Sequence, residues 1–309
     1  MHWCAGAVLS PNLVLSAAHC FKHSPNASEL VVRIGEHRMQ TRDIYEVDFD
    51  VEAFKVHQGF DADTFFNDIS LLKLRPIRNH GILFNDHVMP VCLPTKEDVY
   101  APGTSCVIAG WGKTIINVHQ LQSSVLQTAA VPLYEPGQCE QPWVYGYRIK
   151  RGMFCAGHVD GGMDACHGDS GGPLVCRSIT GNFAVFGIIS WGEECGLPNR
   201  PGVYVEVLLY LDVDTRSVGE ATFFAPADYA EDCKVACDGA TDERSSAVAV
   251  AGVHAAVHVP GAEHATLYPV AVHPGLLALA RLVQGHRCRL QHRRLQLVDV
   301  DDGLSPSGD

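Results

Sequence analysis

The amino-acid sequence predicts an all-β protein of the barrel or sandwich type. Short alternating or β-branched runs recur along the first two-thirds of the chain, at residues 30–34, 44–47, 107–109 and 185–189. Glycine, proline, asparagine and aspartate separate these runs, as they do between the strands of antiparallel sheets. Long helical periods are scarce, which disfavours an enzyme built from alternating strands and helices.

Composition and charge limit the classes of function. The chain has 309 residues, enough for one catalytic unit with a sizeable core and an appendage. Its formal net charge of −12 disfavours nucleic acid as a partner and favours cationic substrates. The apolar run at 247–253 is too short to cross a bilayer, so no membrane span is predicted. Twelve cysteines, without metal-ligand spacing among those before residue 196, indicate an oxidising compartment.

The run 168–173 contains a candidate nucleophile, Ser170. A serine hydroxyl needs a base to take its proton and hydrogen-bond donors to stabilise the oxyanion that forms. Because Gly168 has no side chain, it allows a sharp turn in which the N–H groups of Gly168 and Ser170 face one point. A simple surface turn is the alternative, since Gly, Asp, Ser and Pro are all turn formers.

Two upstream residues supply the partners that such a serine needs. His19 follows an apolar run and small residues, and Asp68 directly precedes the mostly apolar stretch 69–72. Taken alone, His19 also fits a packing or surface histidine, and Asp68 an ordinary acid at the start of a strand. In the order His19, Asp68, Ser170 they match the triad in which aspartate orients histidine and histidine deprotonates serine.

Five motifs carry a family resemblance. They are AAHC at 17–20, DI at 68–69, GWG at 110–112, GDSGGP at 168–173 and SWG at 190–192. On these motifs the chain resembles chymotrypsin-family serine peptidases of trypsin-like specificity over about residues 2–212. The resemblance implies two packed antiparallel six-stranded β-barrels with the triad in the cleft between them. We expect the first barrel at 1–95, without its N-terminal strand, the second at 96–213, and an appendage of unknown structure at 214–309.

The resemblance also implies a specificity pocket for a basic side chain. Its floor is Asp164, six residues before the nucleophile, where a buried carboxylate needs a cationic partner and arginine can bind in a fork geometry. Ala165 replaces a serine that is frequent in the family, which removes a hydroxyl able to hold a lysine ammonium and favours arginine. The expected walls are Ser190, Trp191, Gly192 and Gly202.

The family's cysteine pairing implies four disulfides in this chain. Sequence alone leaves other connectivities open. Cys92 is left over, and in family members with a large pro-region the matching cysteine tethers the catalytic domain to that region. The resemblance therefore implies a disulfide partner for Cys92 in a pro-region outside this chain. The four implied pairs are Cys4–Cys20, Cys106–Cys176, Cys139–Cys155 and Cys166–Cys195.

Activation is the step at which the chain departs from the family pattern. In the family, an α-amine released from the zymogen pairs with the aspartate beside the catalytic serine, here Asp169. No segment that could supply this amine, and no secretory leader, precedes His2. We expect a secreted glycoprotein that is truncated at its front, with an N-glycosylation acceptor site at 26–28. We also expect the Gly168 N–H to be poorly organised, because a buried Asp169 carboxylate without a partner is costly. His2 is an alternative partner for Asp169, as in some zymogens.

No metal or cofactor is expected. His254, His258 and His264 offer imidazoles, but no carboxylate or cysteine stands at ligand spacing around them. Glu36 and Glu46 flank a loop that resembles the calcium loop of trypsins in length, yet two arginines inside the loop oppose a cation.

The leading functional hypothesis is hydrolysis of protein or peptide substrates after Arg or Lys. In it, Ser170 attacks the carbonyl, His19 transfers the proton, Asp68 holds the imidazole, and the Gly168 and Ser170 N–H groups bind the oxyanion. The alternative is a catalytically silent peptidase-like binding module, or a truncated and inactive gene product. The triad favours the first hypothesis, and the missing activation segment favours the second.

Overall fold

The computed structural model describes residues 2–22, 26–98, 100–114, 122–177, 183–211 and 254–258. Within these ranges there is no α-helix, and no helix with the length and apolar character needed to cross a membrane. The short 3₁₀ turns are Ala18–Phe21, Ala27–Glu29, Gly146–Arg148 and Val207–Tyr210. The strands are β1 (His2–Ser10), β2 (Leu13–Ser16), β3 (Val31–Ile34), β4 (Val47–Val56), β5 (Ser70–Leu74), β6 (Ser105–Gly110), β7 (Gln127–Pro132), β8 (Met153–Ala156), β9 (Pro173–Arg177), β10 (Phe183–Trp191), β11 (Gly202–Glu206) and β12 (His254–His258).

The strands form two antiparallel sheets, which confirms the predicted fold class. The first is a closed barrel in the order β1-β12-β3-β4-β5-β2, and the second is a six-stranded sheet in the order β7-β6-β9-β10-β11-β8. Apolar side chains from alternate strand positions fill both interiors. Fully buried examples are Leu15, Leu72 and Ile34 in the first sheet and Leu174 and Tyr204 in the second.

Strand β12 closes the first barrel from a distant part of the chain. It pairs with β1 on one side, with Ala256 opposite Ala5, and with β3 on the other, with Ala256 opposite Arg33. Residues 1–95 contribute five strands, as expected for a barrel that lacks one strand. Strand β12 belongs to the range 214–309, for which the sequence predicted an appendage of unknown structure, and it satisfies ladder groups at the edges of β1 and β3. The predicted domain bounds stay a prediction.

One predicted strand is a turn. The run 44–47 has the β-type composition of a strand, but β4 begins only at Val47. The Asp43 N–H donates to Glu46 Oε1 at 2.7 Å, and the Glu46 N–H donates to the Asp43 carbonyl at 3.1 Å. This reciprocal bonding closes a turn and leaves Ile44 exposed, which overrides the strand propensity of the run.

Contacts between β1 and the segment after β8 position the candidate nucleophile. The Ala5 N–H donates to the Ser170 carbonyl at 2.8 Å, and Ser16 Oγ donates to the Ala5 carbonyl at 2.8 Å. Gly171 follows with φ +79°, and a Cβ there would collide with Ser16 Oγ and the Ala5 carbonyl. Only glycine allows the backbone to turn at this position and approach β1 so closely.

Candidate active site

Asp68 and His19 form a tightly hydrogen-bonded pair. His19 Nδ1 lies 2.7 Å from Asp68 Oδ2, and the His19 backbone N–H donates to Asp68 Oδ1 at 2.7 Å. Asp68 is fully buried, whereas the His19 side chain is 21% exposed. The carboxylate therefore fixes the ring with Nδ1–H toward Asp68, which leaves Nε2 without the ring proton. His19 lines the cavity, and its Nε2 lies 3.9 Å from Cys20 Sγ.

Ser190 has a role that sequence reasoning missed. Its Oγ donates to Asp68 Oδ2 at 2.5 Å, and its side chain is buried. The predicted wall residue therefore donates a third hydrogen bond to the Asp68 carboxylate, besides those from His19. The sequence shows only that Ser190 begins the SWG motif, and nothing local to that motif indicates that Asp68, 122 residues away, lies beside it.

Ser170 lies in the same cavity as His19 and the predicted specificity pocket. The cavity has a volume of about 610 Å³ and is lined by His19, Ser170, Asp164, Ala165, Ser190, Trp191, Gly192 and Gly202, among others. No hydrogen bond joins His19 Nε2 to Ser170 Oγ within the described residues. Catalytic hydrogen bonds are often long in ligand-free enzymes and tighten when substrate binds.

Backbone hydrogen bonds set the direction of the two candidate oxyanion donors. The Lys113 N–H donates to the His167 carbonyl at 3.0 Å, and the Gly172 N–H donates to the Asp169 carbonyl at 2.9 Å. The C=O and N–H of one trans peptide point in opposite directions. The Gly168 N–H therefore points away from Lys113, and the Ser170 N–H points away from the Gly172 N–H. Within the described residues, neither of these two N–H groups donates to a protein acceptor, so both are open to an anionic oxygen.

Asp169 is held by backbone N–H groups. Gly112 N donates to its Oδ1 at 2.7 Å, and Cys166 N donates to its Oδ2 at 2.9 Å. Burial raises the pKa of Asp169 to about 6, and these two hydrogen bonds oppose the rise. A Cβ at Gly110 or Gly112 would collide with the carboxylate, which gives the GWG motif a physical role. Two backbone donors therefore offset part of the cost of burying this carboxylate. The poor organisation expected of the Gly168 N–H stays a prediction.

His2 contacts the oxyanion segment at a different atom from the one expected. Its Nε2 lies 2.8 Å from the Gly168 carbonyl, and its ring packs edge-on against Trp111 at 5.5 Å. Burial lowers the pKa of His2, and the hydrogen bond to Gly168 opposes this effect. A neutral ring that donates Nε2–H fits these contacts. The expectation that His2 partners Asp169 therefore changes to a contact with the Gly168 backbone.

The specificity pocket places a carboxylate at its floor. Gly196 N donates to Asp164 Oδ2 at 3.1 Å, and Ala165 N donates to Asp164 Oδ1 at 2.8 Å. Burial raises the pKa of Asp164 to about 6, the backbone donors oppose this, and the nearby Asp169 charge adds to it. A Cβ at Gly202 would lie 3.1 Å from Asp164 Oδ1, so glycine keeps the floor open.

Comparison with known proteins agrees with this geometry. The family model described as Trypsin matches residues 1–213. The chain belongs to the trypsin family of serine proteases. Coagulation factor XII of Rattus norvegicus is 40% identical over 212 residues, which cover 68% of this chain and 36% of the relative. The hepatocyte growth factor activator serine protease of Mus musculus is 39% identical over 214 residues, covering 68% and 32%.

A more distant organism supplies a third relative. Proclotting enzyme of Tachypleus tridentatus is 37% identical over 218 residues, which cover 68% of this chain and 56% of that protein. The chain thus spans about a third of the length of the factor XII and growth-factor-activator relatives. The matched part is the trypsin-family domain, and it contains every predicted site residue.

The disulfides of this trypsin-family domain brace the site. The structure contains Cys4–Cys20 next to His19, Cys166–Cys195 beside the pocket floor, and Cys106–Cys176 and Cys139–Cys155 in the second sheet. These are the four pairs that the resemblance implied. Cys92 is also disulfide-bonded. Its pairing with a cysteine of a pro-region stays a prediction.

An arginine lies between the two glutamates of the calcium-like loop. Arg33 Nη1 lies 3.2 Å from Glu36 Oε2 and 3.9 Å from Glu46 Oε2, and Arg33 Nε bonds Asp48 Oδ1 at 2.6 Å. The guanidinium supplies the positive charge that the loop acids need. Sequence reasoning considered only the arginines inside the loop and missed Arg33, which reaches the acids from β3.

Of the three histidines considered as metal ligands, His254 and His258 begin and end β12, and His264 lies outside the described residues. A strand rises about 3.3 Å per residue, so the Cα atoms of His254 and His258 are about 13 Å apart. In the described residues, the group Cys4, His19 and Cys20 brings ligand-type atoms together, but its sulfurs form a disulfide and its imidazole is hydrogen-bonded to Asp68.

The raised pKa of Asp164 predicts that cation binding depends on pH. The cationic ligand p-aminobenzamidine, a small aryl amidine, needs Asp164 in its ionised form. Because the pKa of Asp164 is about 6, the carboxylate becomes protonated as the pH falls through 6. Affinity for p-aminobenzamidine should therefore be about tenfold weaker at pH 5 than at pH 8. Fluorescence titration measures this, with Asp164→Asn as the control that binds weakly at both pH values. Equal affinity of the parent chain at pH 5 and pH 8 would contradict this assignment.

Proposed function

We propose that this chain is a serine endopeptidase that hydrolyses protein or peptide substrates after arginine, and more slowly after lysine. The observation that carries the proposal is that His19, Ser170 and Asp164 line one cavity. His19 is hydrogen-bonded to Asp68, and the N–H groups of Gly168 and Ser170 donate to no protein acceptor within the described residues.

The first chemical step is acylation of Ser170. His19 Nε2 takes the proton from Ser170 Oγ as Oγ attacks the scissile carbonyl carbon, and the carbonyl π pair moves onto oxygen. The Gly168 and Ser170 N–H groups donate to this oxyanion. Asp68 stays ionised and stabilises the imidazolium through Nδ1. The imidazolium then protonates the leaving amine as the C–N bond breaks.

Deacylation uses the same groups in reverse. A water molecule loses its proton to His19 Nε2 and attacks the acyl carbon, and the oxyanion forms again in the same backbone cradle. When it collapses, the Ser170–acyl bond breaks and Ser170 Oγ regains the proton. Every step requires Nε2 to accept and return a proton, and the hydrogen bond from Nδ1–H to Asp68 supports this by keeping the ring proton off Nε2.

The preference for arginine follows from the floor of the pocket. Two Asp164 oxygens already accept backbone N–H groups and keep free lone pairs for a fork-shaped guanidinium. The side chain of lysine reaches less far, so its ammonium requires a further oxygen that accepts a hydrogen bond, or a water molecule between it and the carboxylate. Ala165 lines this cavity and offers no hydroxyl to help.

A silent binding module is the second candidate, and one observation favours it. In the described residues no hydrogen bond links His19 Nε2 to Ser170 Oγ. A chain that never formed this bond would still bind basic side chains at Asp164 without cleaving. The relatives point the other way by name, as activator protease and proclotting enzyme.

Secretion is part of the proposal. The four described disulfide pairs need an oxidising compartment. Asn26 is exposed at the start of the 3₁₀ turn Ala27–Glu29, where a glycan can be attached without steric conflict. Both features are typical of an extracellular protease.

A panel of peptide amides tests the proposed activity. The peptides differ only in the residue before a fluorogenic amide: arginine, lysine, phenylalanine or aspartate. We expect hydrolysis in the order arginine, lysine, then no detectable rate for the other two. The Ser170→Ala chain, which keeps the Asp164 pocket, is the control and should hydrolyse none. Binding of the arginine peptide without hydrolysis by the parent chain would favour the silent module.

A further inference from the structure

Two cations lie at the rim of the cavity that contains the triad. Arg148 and Lys150, which we call the cationic rim, line the cavity together with the exposed Tyr147. Arg148 is the last residue of the 3₁₀ turn Gly146–Arg148, and Lys150 lies two residues further along the chain. The proposed mechanism uses neither of them. Asp164, at the floor, has the opposite charge, so the cavity is polarised from floor to rim.

Arg148 is held over the wall of the specificity pocket. Its Cζ lies 4.7 Å from the Trp191 ring centroid and 5.7 Å from the Tyr145 ring centroid. Arg148 Nη1 also bonds Glu193 Oε1. Cation–π stacking together with this ion pair fixes the guanidinium, although its side chain remains 45% exposed. A pre-positioned guanidinium loses little freedom when it binds a carboxylate.

The segment that carries Arg148 is itself braced. Tyr145 OH donates to the Pro201 carbonyl at 2.7 Å and accepts the Glu193 N–H at 3.2 Å. The Tyr145 N–H donates to the carbonyl of Cys139, which is disulfide-bonded to Cys155. The rim is therefore attached to the same strands that form the pocket, β8 and β11.

The local charge at the rim is positive. Glu193 is shared, because Arg200 Nε contacts its other oxygen at 3.0 Å. Arg200 Nη1 donates hydrogen bonds to the carbonyls of Trp143, Val144 and Asn199. Two guanidiniums thus share one carboxylate. Arg148 uses only Nη1 among the hydrogen bonds of the described residues, so its other N–H groups can reach a ligand.

An extended substrate passes this rim. On one edge, β10 pairs with β11, and this pairing reaches Trp191, which lies opposite Val203. On its other edge, β10 pairs with β9, and this pairing ends at Ile188. The other edge of 190–192 faces the cavity, and an extended peptide can add to such an edge. With a basic side chain on Asp164, the residues that precede it lie along Trp191 toward Arg148, at about 3.3 Å per residue.

We propose that Arg148, supported by Lys150, forms a subsite that selects an acidic side chain two to four residues before the cleaved bond. This inference rests on the proposed function, since it uses the same bound substrate. The preferred substrate then has an acid that precedes a basic residue, matching the polarity of the cavity. Acids that line the cavity elsewhere lie on the His19 side, at Asp63, or next to Cys195, at Glu194.

Fluorogenic arginine peptides test this subsite. Aspartate or lysine is placed in turn at each of the three positions that lie two, three and four residues before the cleaved bond, and alanine fills the rest. For at least one position we expect kcat/KM to be about five- to tenfold higher with aspartate, and the ratio to shrink in 0.5 M NaCl because exposed charges are screened. A ratio below twofold at all three positions overturns the proposal.

Variants separate Arg148 from the rest of the surface. Arg148→Glu should invert the ratio, Arg148→Gln should bring it near one, and Glu193→Gln should raise it by releasing Arg148 from its carboxylate. Arg75→Gln is the matched control, because Arg75 is an exposed arginine paired with Asp50 at 3.5 Å on the first barrel. An unchanged ratio in both Arg148 variants overturns the proposal even if the parent prefers aspartate.

The outcome also separates the subsite from the proposed function. Cleavage after arginine without an acid preference overturns only the subsite. Absence of any cleavage in the parent chain overturns the proposed function and the subsite together. Because the alanine-only arginine peptide is measured in the same series, the two failures are distinguishable.

Discussion

Replacement of Asp68 by asparagine is expected to lower kcat on the arginine peptide by about 10⁴-fold. The structure explains why an isosteric amide fails. If the amide nitrogen takes the Oδ2 position, it donates to His19 Nδ1 and forces the proton onto Nε2, which then cannot accept the proton of Ser170. If it takes the Oδ1 position, it opposes the His19 backbone N–H, which is also a donor.

Initial rates on the peptide panel check this result. Asp50→Asn is the matched control, because Asp50 is an exposed carboxylate on β4 that contacts Arg75. We expect the control to keep the parent rate. The Asp68→Asn chain should retain affinity for p-aminobenzamidine, which shows that the pocket is folded. A rate within tenfold of the parent would contradict the assigned role of Asp68.

Replacement of Asp164 by serine is expected to remove most of the preference for arginine. A bound guanidinium would lose a buried, hydrogen-bonded charge partner, and such losses cost about 2–5 kcal/mol, or roughly 30- to 5000-fold in kcat/KM. Hydrolysis of a reactive ester that lacks a basic side chain should change little, because the triad and the oxyanion donors remain. The kcat/KM ratio of the two substrates is the measurement.

Asp160→Ser is the control for this substitution. Asp160 is exposed and lies four residues before Asp164. Its replacement by serine changes the net charge by the same amount as Asp164→Ser. It should leave the arginine preference intact, so long-range steering by net charge is separated from contact in the pocket. Equal losses in the two variants would mean that Asp164 does not contact the substrate cation.

The all-β class could be predicted from alternation and turn residues, and the structure confirms it. The triad and the pocket floor stay predictions: the triad rests on short motifs in an informative order, and the floor rests on the resemblance. The hydrogen bond of Ser190 is a contact that the sequence did not predict. Its motif marked it as a wall residue, but its hydrogen bond to Asp68 depends on how two sheets meet, which no local pattern records.

Asp169 shows a second limit. The sequence predicted that, without an amine partner for Asp169, the oxyanion donors would be poorly organised, and this stays a prediction. What it did not indicate is that two backbone N–H groups donate to the carboxylate, whose pKa burial raises to about 6. Backbone donors are present at almost every residue, so the sequence does not indicate where they converge. The same holds for β12, whose pairing with β1 and β3 depends on edges far away in sequence.

Labelling with a fluorophosphonate tests the central claim most directly, that Ser170 is a nucleophile activated by His19 and Asp68. The measurement is the mass of the peptide that contains residue 170 after the disulfide-bonded chain has reacted at pH 8. We predict one phosphonyl group on Ser170, none on this peptide in the Ser170→Ala chain, and a much slower reaction in the Asp68→Asn chain. An unlabelled Ser170 in folded protein that still binds p-aminobenzamidine would contradict the account.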